Sequence, residues 1–175
     1  AMYFCSFFQR FAIPGPVFEY LQQHYGFSGA QLSLLGAMYV ATYALLQLPA
    51  GMWIDRKGGI VPAAVGGVAL LTGSGMFLLG HHPAWLFAGR ILTAAGDSVM
   101  YLSLLKEISR RCAPESFASI LGVVSLLASL AGVGATMPLA AAVRHWGYFP
   151  AFGAMWGFTL AVTGLFFLFL RGNDG

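Results

Sequence analysis

Six apolar runs, each about as long as a membrane-crossing helix, constrain the fold of this sequence more than any other feature. They are separated by turn residues and lie at roughly 1–22, 30–54, 60–79, 84–108, 117–143 and 148–170. A helix needs about 20 residues to cross the hydrocarbon core of a bilayer. The runs are too long for membrane β-strands and lack their apolar–polar alternation. We therefore expect an all-α fold, a membrane bundle of six transmembrane helices.

The scarcity of charged residues supports a membrane location. Only 9% of the 175 residues are charged and 58% are hydrophobic, whereas soluble domains carry about 25% charged residues. So few charges cannot cover a water-soluble body of this size. We expect one transmembrane domain over residues 1–175, cut from a longer chain because both ends lie in or beside an apolar run.

The basic residues of the loops predict the orientation. Asp55-Arg56-Lys57 follows the second run, Arg110-Arg111 the fourth and Arg171 the sixth, while the alternate loops hold few Lys or Arg residues. The positive-inside rule makes the basic side cytoplasmic. This predicts a multi-pass protein of the plasma membrane, such as a bacterial inner membrane, with both termini in the cytoplasm. The net charge of +3 is dispersed among these loops, which does not suggest a nucleic-acid partner.

Arg10 lies inside the first apolar run. It is about 12 residues from the outer end of that run, or about 18 Å at the helical rise, which is near the bilayer midplane. An unpaired arginine there costs at least about 2.5–3.5 kcal/mol, so it should face the bundle interior or a wet cavity. Because guanidinium binds carboxylates and phosphates bidentately, Arg10 is a candidate ligand for an anionic substrate. The alternative is a structural partner, such as Asp97 or a helix end.

Arg90 and Asp97 lie seven residues apart in the fourth run and share a helix face. Arg90 is near the outer end and is expected to snorkel there, whereas Asp97 is too deep to do so. Desolvation would favour the neutral form of a lone acid, which suits proton uptake, whereas pairing with Arg10 would keep it ionised. Proton coupling and a structural ion pair remain alternatives.

Polar groups in the first two runs predict a cavity. Tyr39, Tyr43 and Gln47 recur at a spacing of four and share one slowly rotating face. They either line a cavity or form hydrogen bonds between helices. The segment Pro14-Gly15-Pro16 removes backbone donors, so the first helix is expected to bend or break near Arg10.

Catalytic and metal-binding motifs are not evident in the sequence. It has no GxSxG, HExxH, P-loop or dinucleotide fingerprint, and its histidines lack further ligands at suitable spacing. We expect no enzyme activity, no cofactor and no metal site. Cys5 and Cys112 lie outside CxxC motifs and are predicted to be free thiols.

The segment Gly51-Met-Trp-Ile-Asp55-Arg56-Lys-Gly58 resembles the signature loop of the major facilitator superfamily. Arg90 followed by Gly96 resembles the fourth-helix motif of the same family. The resemblance implies the amino-terminal half of a twelve-helix transporter, built from two inverted three-helix repeats, whose partner is a second six-helix half.

The same resemblance implies a cytoplasmic gate at Gly51, Asp55, Arg56 and Gly58. Gly51 would allow close helix contact, and Asp55 would bond to a helix end of the second half with support from Arg56. The family pattern has basic residues soon after Gly58, but Gly59 and Ile60 follow here.

Within the superfamily, the chain looks most like the organic anion and anion:cation symporter branch. The segments that carry this likeness are Phe7-Phe8-Gln9-Arg10-Phe11-Ala12, Tyr39 to Gln47-Leu-Pro-Ala-Gly51, and Leu104-Leu105-Lys106. We expect alternating-access transport of a small organic anion coupled to H+ or Na+, with Arg10, Tyr39, Tyr43 and Gln47 binding substrate and Asp97 and Arg90 coupling the ion. Two alternatives are a proton-coupled exporter of hydrophobic compounds and a non-transporting membrane sensor or assembly subunit.

Overall fold

The computed structural model describes residues 2–13 and 15–172, and within them it contains helices and no strand. The predicted all-α class is therefore confirmed. The helices are α1 (Met2–Ala12), a short 3₁₀ helix (Gly15–Val17), α2 (Phe18–Tyr25), α3 (Gly29–Lys57), α4 (Ile60–Leu79), α5 (Pro83–Arg111), α6 (Pro114–Gly134), α7 (Met137–Trp146) and α8 (Tyr148–Gly172).

Short turns with specific capping groups separate the helices. Ser28 caps α3: its hydroxyl accepts a hydrogen bond from the Gln31 amide, and the Gln31 side chain accepts one from the Ser28 amide. This reciprocal pair satisfies two backbone donors at the helix start. Gly26 and Gly58 end α2 and α3 with φ of 66° and 76°. Glycine adopts these left-handed angles without the steric cost of a side chain.

Helices α4 and α5 pack almost backbone to backbone through small residues. A Cβ added to Gly96 would lie 2.5 Å from the Gly66 carbonyl oxygen, and one added to Gly89 would lie 2.6 Å from the Gly73 carbonyl oxygen. These glycines therefore cannot be replaced without moving one helix. Small residues at helix interfaces allow this close approach in membrane bundles. This packing fixes α5, which carries Arg90 and Asp97.

The first apolar run is broken into three helical pieces. Helix α1 ends at Ala12, and the 3₁₀ helix that contains Pro16 begins at Gly15. Pro14, the other residue expected to weaken this helix, lies outside the described residues. The break leaves carbonyl groups at the end of α1 without partners inside the helix.

The fifth apolar run forms two helical pieces separated by a short turn. Helix α6 ends at Gly134, and α7 begins at Met137 with Pro138 in its first turn. Proline has no amide to donate to the preceding turn. Gly132 and Gly134 also lower the helix propensity just before the break.

Among the described residues, four helical segments are long and apolar enough to cross a membrane: Gly29–Lys57, Ile60–Leu79, Pro114–Trp146 and Tyr148–Leu170. The third of these joins α6 and α7. The side chain of Arg171, which was assigned to the basic side of the membrane, lies outside the described residues.

Candidate functional site

The buried Arg90 side chain holds the broken end of α1. Its Nη1 donates to the Gln9 carbonyl at 3.2 Å, and its Nη2 donates to the carbonyls of Arg10 at 3.1 Å and Ile13 at 2.6 Å. These carbonyls belong to the last turn of α1 and the residue beyond it, where no helical amide is available. A cation at a helix C-terminus is also favoured by the helix dipole.

The expectation that Arg90 snorkels toward the outer surface is wrong, because only 2% of the residue is exposed. Its guanidinium carbon lies 3.9 Å from the centroid of the Tyr39 ring, a cation–π contact that helps to keep the charge inside the protein. The carbonyl groups at the end of α1, which lack helical amide partners, account for this inward orientation.

Asp97 pairs with a tyrosine rather than with an arginine. The Tyr39 hydroxyl donates to Asp97 Oδ2, and both residues are buried, with exposures of 1% and 3%. No Lys or Arg among the described residues forms an ion pair with this carboxylate. The structural alternative of an Arg10–Asp97 ion pair is therefore not what the structure shows. Tyr39 is buried and follows the second of the two alternatives for its stripe, a hydrogen bond between helices.

Arg10 lies on the half-buried side of α1, facing α3. Its guanidinium carbon is 4.7 Å from the centroid of the Tyr43 ring. No carboxylate in the described part of the chain pairs with it. Gln47, one helical turn beyond Tyr43, is also half-buried. Arg10, Tyr43 and Gln47 therefore remain accessible from the same face of the bundle.

Two tyrosines that the sequence analysis did not assign to the site border the same face. The rings of Tyr3 and Tyr101 lie 5.6 Å apart, and that of Phe7 lies 5.9 Å from Tyr3. Tyr3, Phe7 and Arg10 are spaced four and three residues apart on α1, so they share one face. That spacing was visible in the sequence, as was the spacing of four between Asp97 and Tyr101.

A second charged cluster lies where α3, α4 and α5 meet. Lys106 Nζ is 2.8 Å from Asp55 Oδ1, so Asp55 has a partner within this chain. Glu107 accepts a hydrogen bond from the Gly59 amide at the start of α4 and pairs with Arg110 and Arg111. A carboxylate at a helix N-terminus is favoured by the helix dipole.

The other residues assigned to the gate are placed as follows. Arg56 is exposed, and Gly58 has the positive φ that ends α3. A Cβ added to Gly51 would lie 4.0 Å from Leu102 Cδ1, which is an ordinary contact distance. The expected close helix contact at Gly51 is therefore absent within the described chain, and the close contacts lie at the α4–α5 glycines instead.

Two apolar cavities have volumes of about 490 and 340 Å³, and Tyr3 lines the larger one. One is bordered by α1, α4, α5, α6 and α8, and the other by α1, α6, α7 and α8, and neither is lined by Arg10, Tyr43 or Asp97. No group of three His, Cys, Asp or Glu side chains within the described residues is arranged to hold a metal ion.

Comparison with protein families assigns the fold. The family model of the Major Facilitator Superfamily matches residues 1–174. The chain belongs to this superfamily. No individual curated protein matches it. Members of the major facilitator superfamily are membrane transporters and are generally not enzymes, so this superfamily member is a membrane-embedded protein of a transporter family.

Proposed function

We propose that this chain is the amino-terminal six-helix half of a secondary transporter that moves a small organic anion by alternating access, coupled to H+ or Na+. In this proposal α1 with α2, α3, α4, α5, α6 with α7, and α8 form the six crossings. Substrate binds near the midplane between this half and a second one, and the halves rock about that position.

The accessibility of Arg10 carries the proposal. Two arginines lie near the end of α1, and one of them, Arg90, already donates to three carbonyls. Arg10 has no carboxylate partner within the described residues, is half-buried and stacks against Tyr43. A guanidinium with free donor groups at membrane depth is costly unless a cavity or a ligand satisfies it. An organic carboxylate or phosphate would do so bidentately.

Asp97 is our candidate for ion coupling. It is buried, and the hydroxyl of Tyr39 is its hydrogen-bond partner. Binding of a proton would remove the charge that accepts this bond, and Tyr39 also contacts Arg90 at the end of α1. A change in the protonation of Asp97 would thus be transmitted to the helix that carries Arg10. We assign Arg90 to the same coupling network on this basis.

We propose that the basic end of the bundle faces the cytoplasm of a plasma membrane. Arg56, Lys106, Arg110 and Arg111 are grouped around the α3–α4 turn, whereas Arg144 lies at the end of α7. Such a bias defines the cytoplasmic side of membrane proteins. Because the side chain of Asp55 is 73% exposed beside Lys106, it can exchange this partner for a helix end of the second half during gating.

The experiment compares Arg10→Gln with Arg10→Lys in proteoliposomes that contain the full-length protein, using a panel of radiolabelled carboxylates and phosphate esters. Arg144→Gln, which removes an exposed cation, is the matched control. We expect Arg10→Gln to abolish uptake, Arg10→Lys to retain a small part of it because lysine lacks the bidentate fork, and the control to transport normally.

Normal anion uptake by Arg10→Gln protein would refute the proposal. Efflux of hydrophobic cations that is unaffected by Arg10→Gln but abolished by Asp97→Asn would establish the exporter alternative. Imposing a pH gradient or a Na+ gradient separately identifies the coupling ion. Asp97→Asn is expected to abolish gradient-driven uptake and to leave anion exchange intact.

A further inference from the structure

The face that presents Arg10 also presents a set of aromatic residues, which we call the aromatic wall: Tyr3, Phe7, Tyr43 and Tyr101. Tyr3 contacts Phe7 and Tyr101, and Tyr43 contacts Arg10. All four residues are half-buried. The Tyr3 ring lies 5.9 Å from that of Phe7 and 5.6 Å from that of Tyr101, at interplanar angles of 60° and 36°. These are the distances and tilts at which aromatic rings attract one another.

The aromatic wall lies on the opposite side of α1 from its packed side. Cys5, Gln9 and Ala12 are buried, and Gln9 donates to Thr159 on α8 at 3.0 Å. Tyr3, Phe7 and Arg10 are also spaced four and three residues apart, but they lie on the opposite side of α1 and are only half-buried. These rings lie outside the fully buried core. An edge of Phe7 borders Gly132 of α6, and the half-buried rings leave part of their surface open to a molecule bound at Arg10.

The spacing of residues along α1 limits the length of that molecule. Phe7 lies three residues from Arg10, or about 4.5 Å along the helix axis, and Tyr3 lies seven residues away, or about 10 Å. A carboxylate held by Arg10 would place a directly attached ring beside Phe7 and within the aromatic wall.

Resting on the function proposed above, we infer that the substrate is an aromatic carboxylate, with its carboxylate on Arg10 and its ring against the aromatic wall. Tyr3 and Tyr101 are then specificity-determining residues. A cavity that needed only to be apolar would not require tyrosines, whose hydroxyl groups are costly in a dry environment. Flat rings at these spacings favour another flat ring over an aliphatic group of equal size.

The test measures binding of benzoate and of cyclohexanecarboxylate to the full-length protein by calorimetry. The two anions have the same charge and nearly the same size and differ in aromaticity. We expect roughly 2- to 10-fold tighter binding of benzoate, the range given by one or more aromatic contacts. Tyr3→Leu and Tyr101→Leu should each reduce this ratio toward one, while Tyr101→Phe should retain it because the ring remains.

A matched control removes an aromatic ring elsewhere. Phe169→Leu changes a residue of α8 that is 67% exposed, and it should leave the benzoate preference unchanged. The ratio of two affinities is independent of the fraction of folded protein, so partial misfolding of a variant does not affect the result.

The outcomes separate this inference from the proposed function. Equal affinities in the wild type, no benzoate binding at millimolar concentration, or a preference that survives in the Tyr3→Leu/Tyr101→Leu double variant would each overturn the aromatic assignment. If the two anions bind equally and Arg10→Gln abolishes binding of both, the anion proposal stands without it. If Arg10→Gln binds both anions like the wild type, the anion proposal itself fails.

Discussion

Replacing Arg90 by leucine should destabilise the protein more than any other single loss of charge in the described bundle. The side chain donates three hydrogen bonds to carbonyls of residues 9, 10 and 13 and is 2% exposed. Hydrogen bonds of charged groups contribute about 1.5–3 kcal/mol each, so three contribute about 4–9 kcal/mol. Leucine also removes the cost of burying a guanidinium, which is several kcal/mol. We expect a net loss of about 3–5 kcal/mol, because the substitution leaves three carbonyls without this donor at about 1–3 kcal/mol each, offset in part by the removal of the buried charge.

The assay measures the reactivity of a cysteine on α1. Cys5 lies on that helix and is 2% exposed, so its thiol reacts only when α1 loosens from the bundle. In a background where Cys5 is the single cysteine, Arg90→Leu should accelerate its labelling by a thiol-reactive fluorophore and lower the free energy of unfolding in SDS titrations of mixed micelles. Arg90→Lys should recover part of the loss, since an ammonium has three donors but no planar fork.

Arg144→Leu is the control, because it removes the same charge from an exposed position at the end of α7. It should change the unfolding free energy by less than about 0.5 kcal/mol. If Arg90→Leu unfolds within about 1 kcal/mol of the wild type and Cys5 labels at the wild-type rate, Arg90 does not hold the end of α1, and the argument is wrong.

Three further variants test other contacts. Gly96→Ala would place a Cβ 2.5 Å from a carbonyl oxygen of α4 and should lower the unfolding free energy by about 1–3 kcal/mol. Its control is Gly122→Ala, whose Cβ would have no neighbour within 4 Å and which should be neutral or stabilising by up to about 1 kcal/mol. Tyr39→Phe removes the hydroxyl bonded to a buried carboxylate and should cost about 1.5–3 kcal/mol in the same SDS titration. A double-mutant cycle on the exposed Asp55–Lys106 pair should give a coupling energy of about 0.2–1 kcal/mol, which should decrease with added salt. A coupling energy above about 2 kcal/mol would contradict the assignment of this pair as solvated and exchangeable.

The helical class was predictable because length and apolar continuity are local properties of the sequence. Capping residues were also readable: Ser28 precedes α3, and Gly58 ends it. The break between α6 and α7 was missed although its signal was present at Pro138. Pro49, by contrast, lies inside the continuous helix α3. The difference between these two prolines depends on tertiary packing that composition does not reveal.

The candidate site was only partly predictable. The position of a residue along a helix can be counted from the sequence, but the neighbouring helix or cavity that its side chain faces cannot. Counting places Arg10 near the midplane and Arg90 near the outer end of its run, yet Arg90 is buried and Arg10 remains accessible. What decides between them is the end of α1 at Ala12, whose free carbonyls lie about 80 residues away from Arg90 in sequence. Long-range contacts of this kind have no local pattern.

Helix α5 is a crossing in our proposal that hydropathy alone does not support. Pro83–Arg111 is absent from the four segments apolar enough to span a membrane, yet it is 29 residues long and buries Arg90, Thr93 and Asp97. A lipid-facing helix cannot carry such groups, but a helix enclosed by its neighbours can, because their carbonyls and hydroxyls replace water. α5 contacts α1 through Arg90, α3 through Asp97 and α4 through its glycines. The low hydropathy of α5 is therefore what a central crossing requires, and it agrees with the six crossings that we propose.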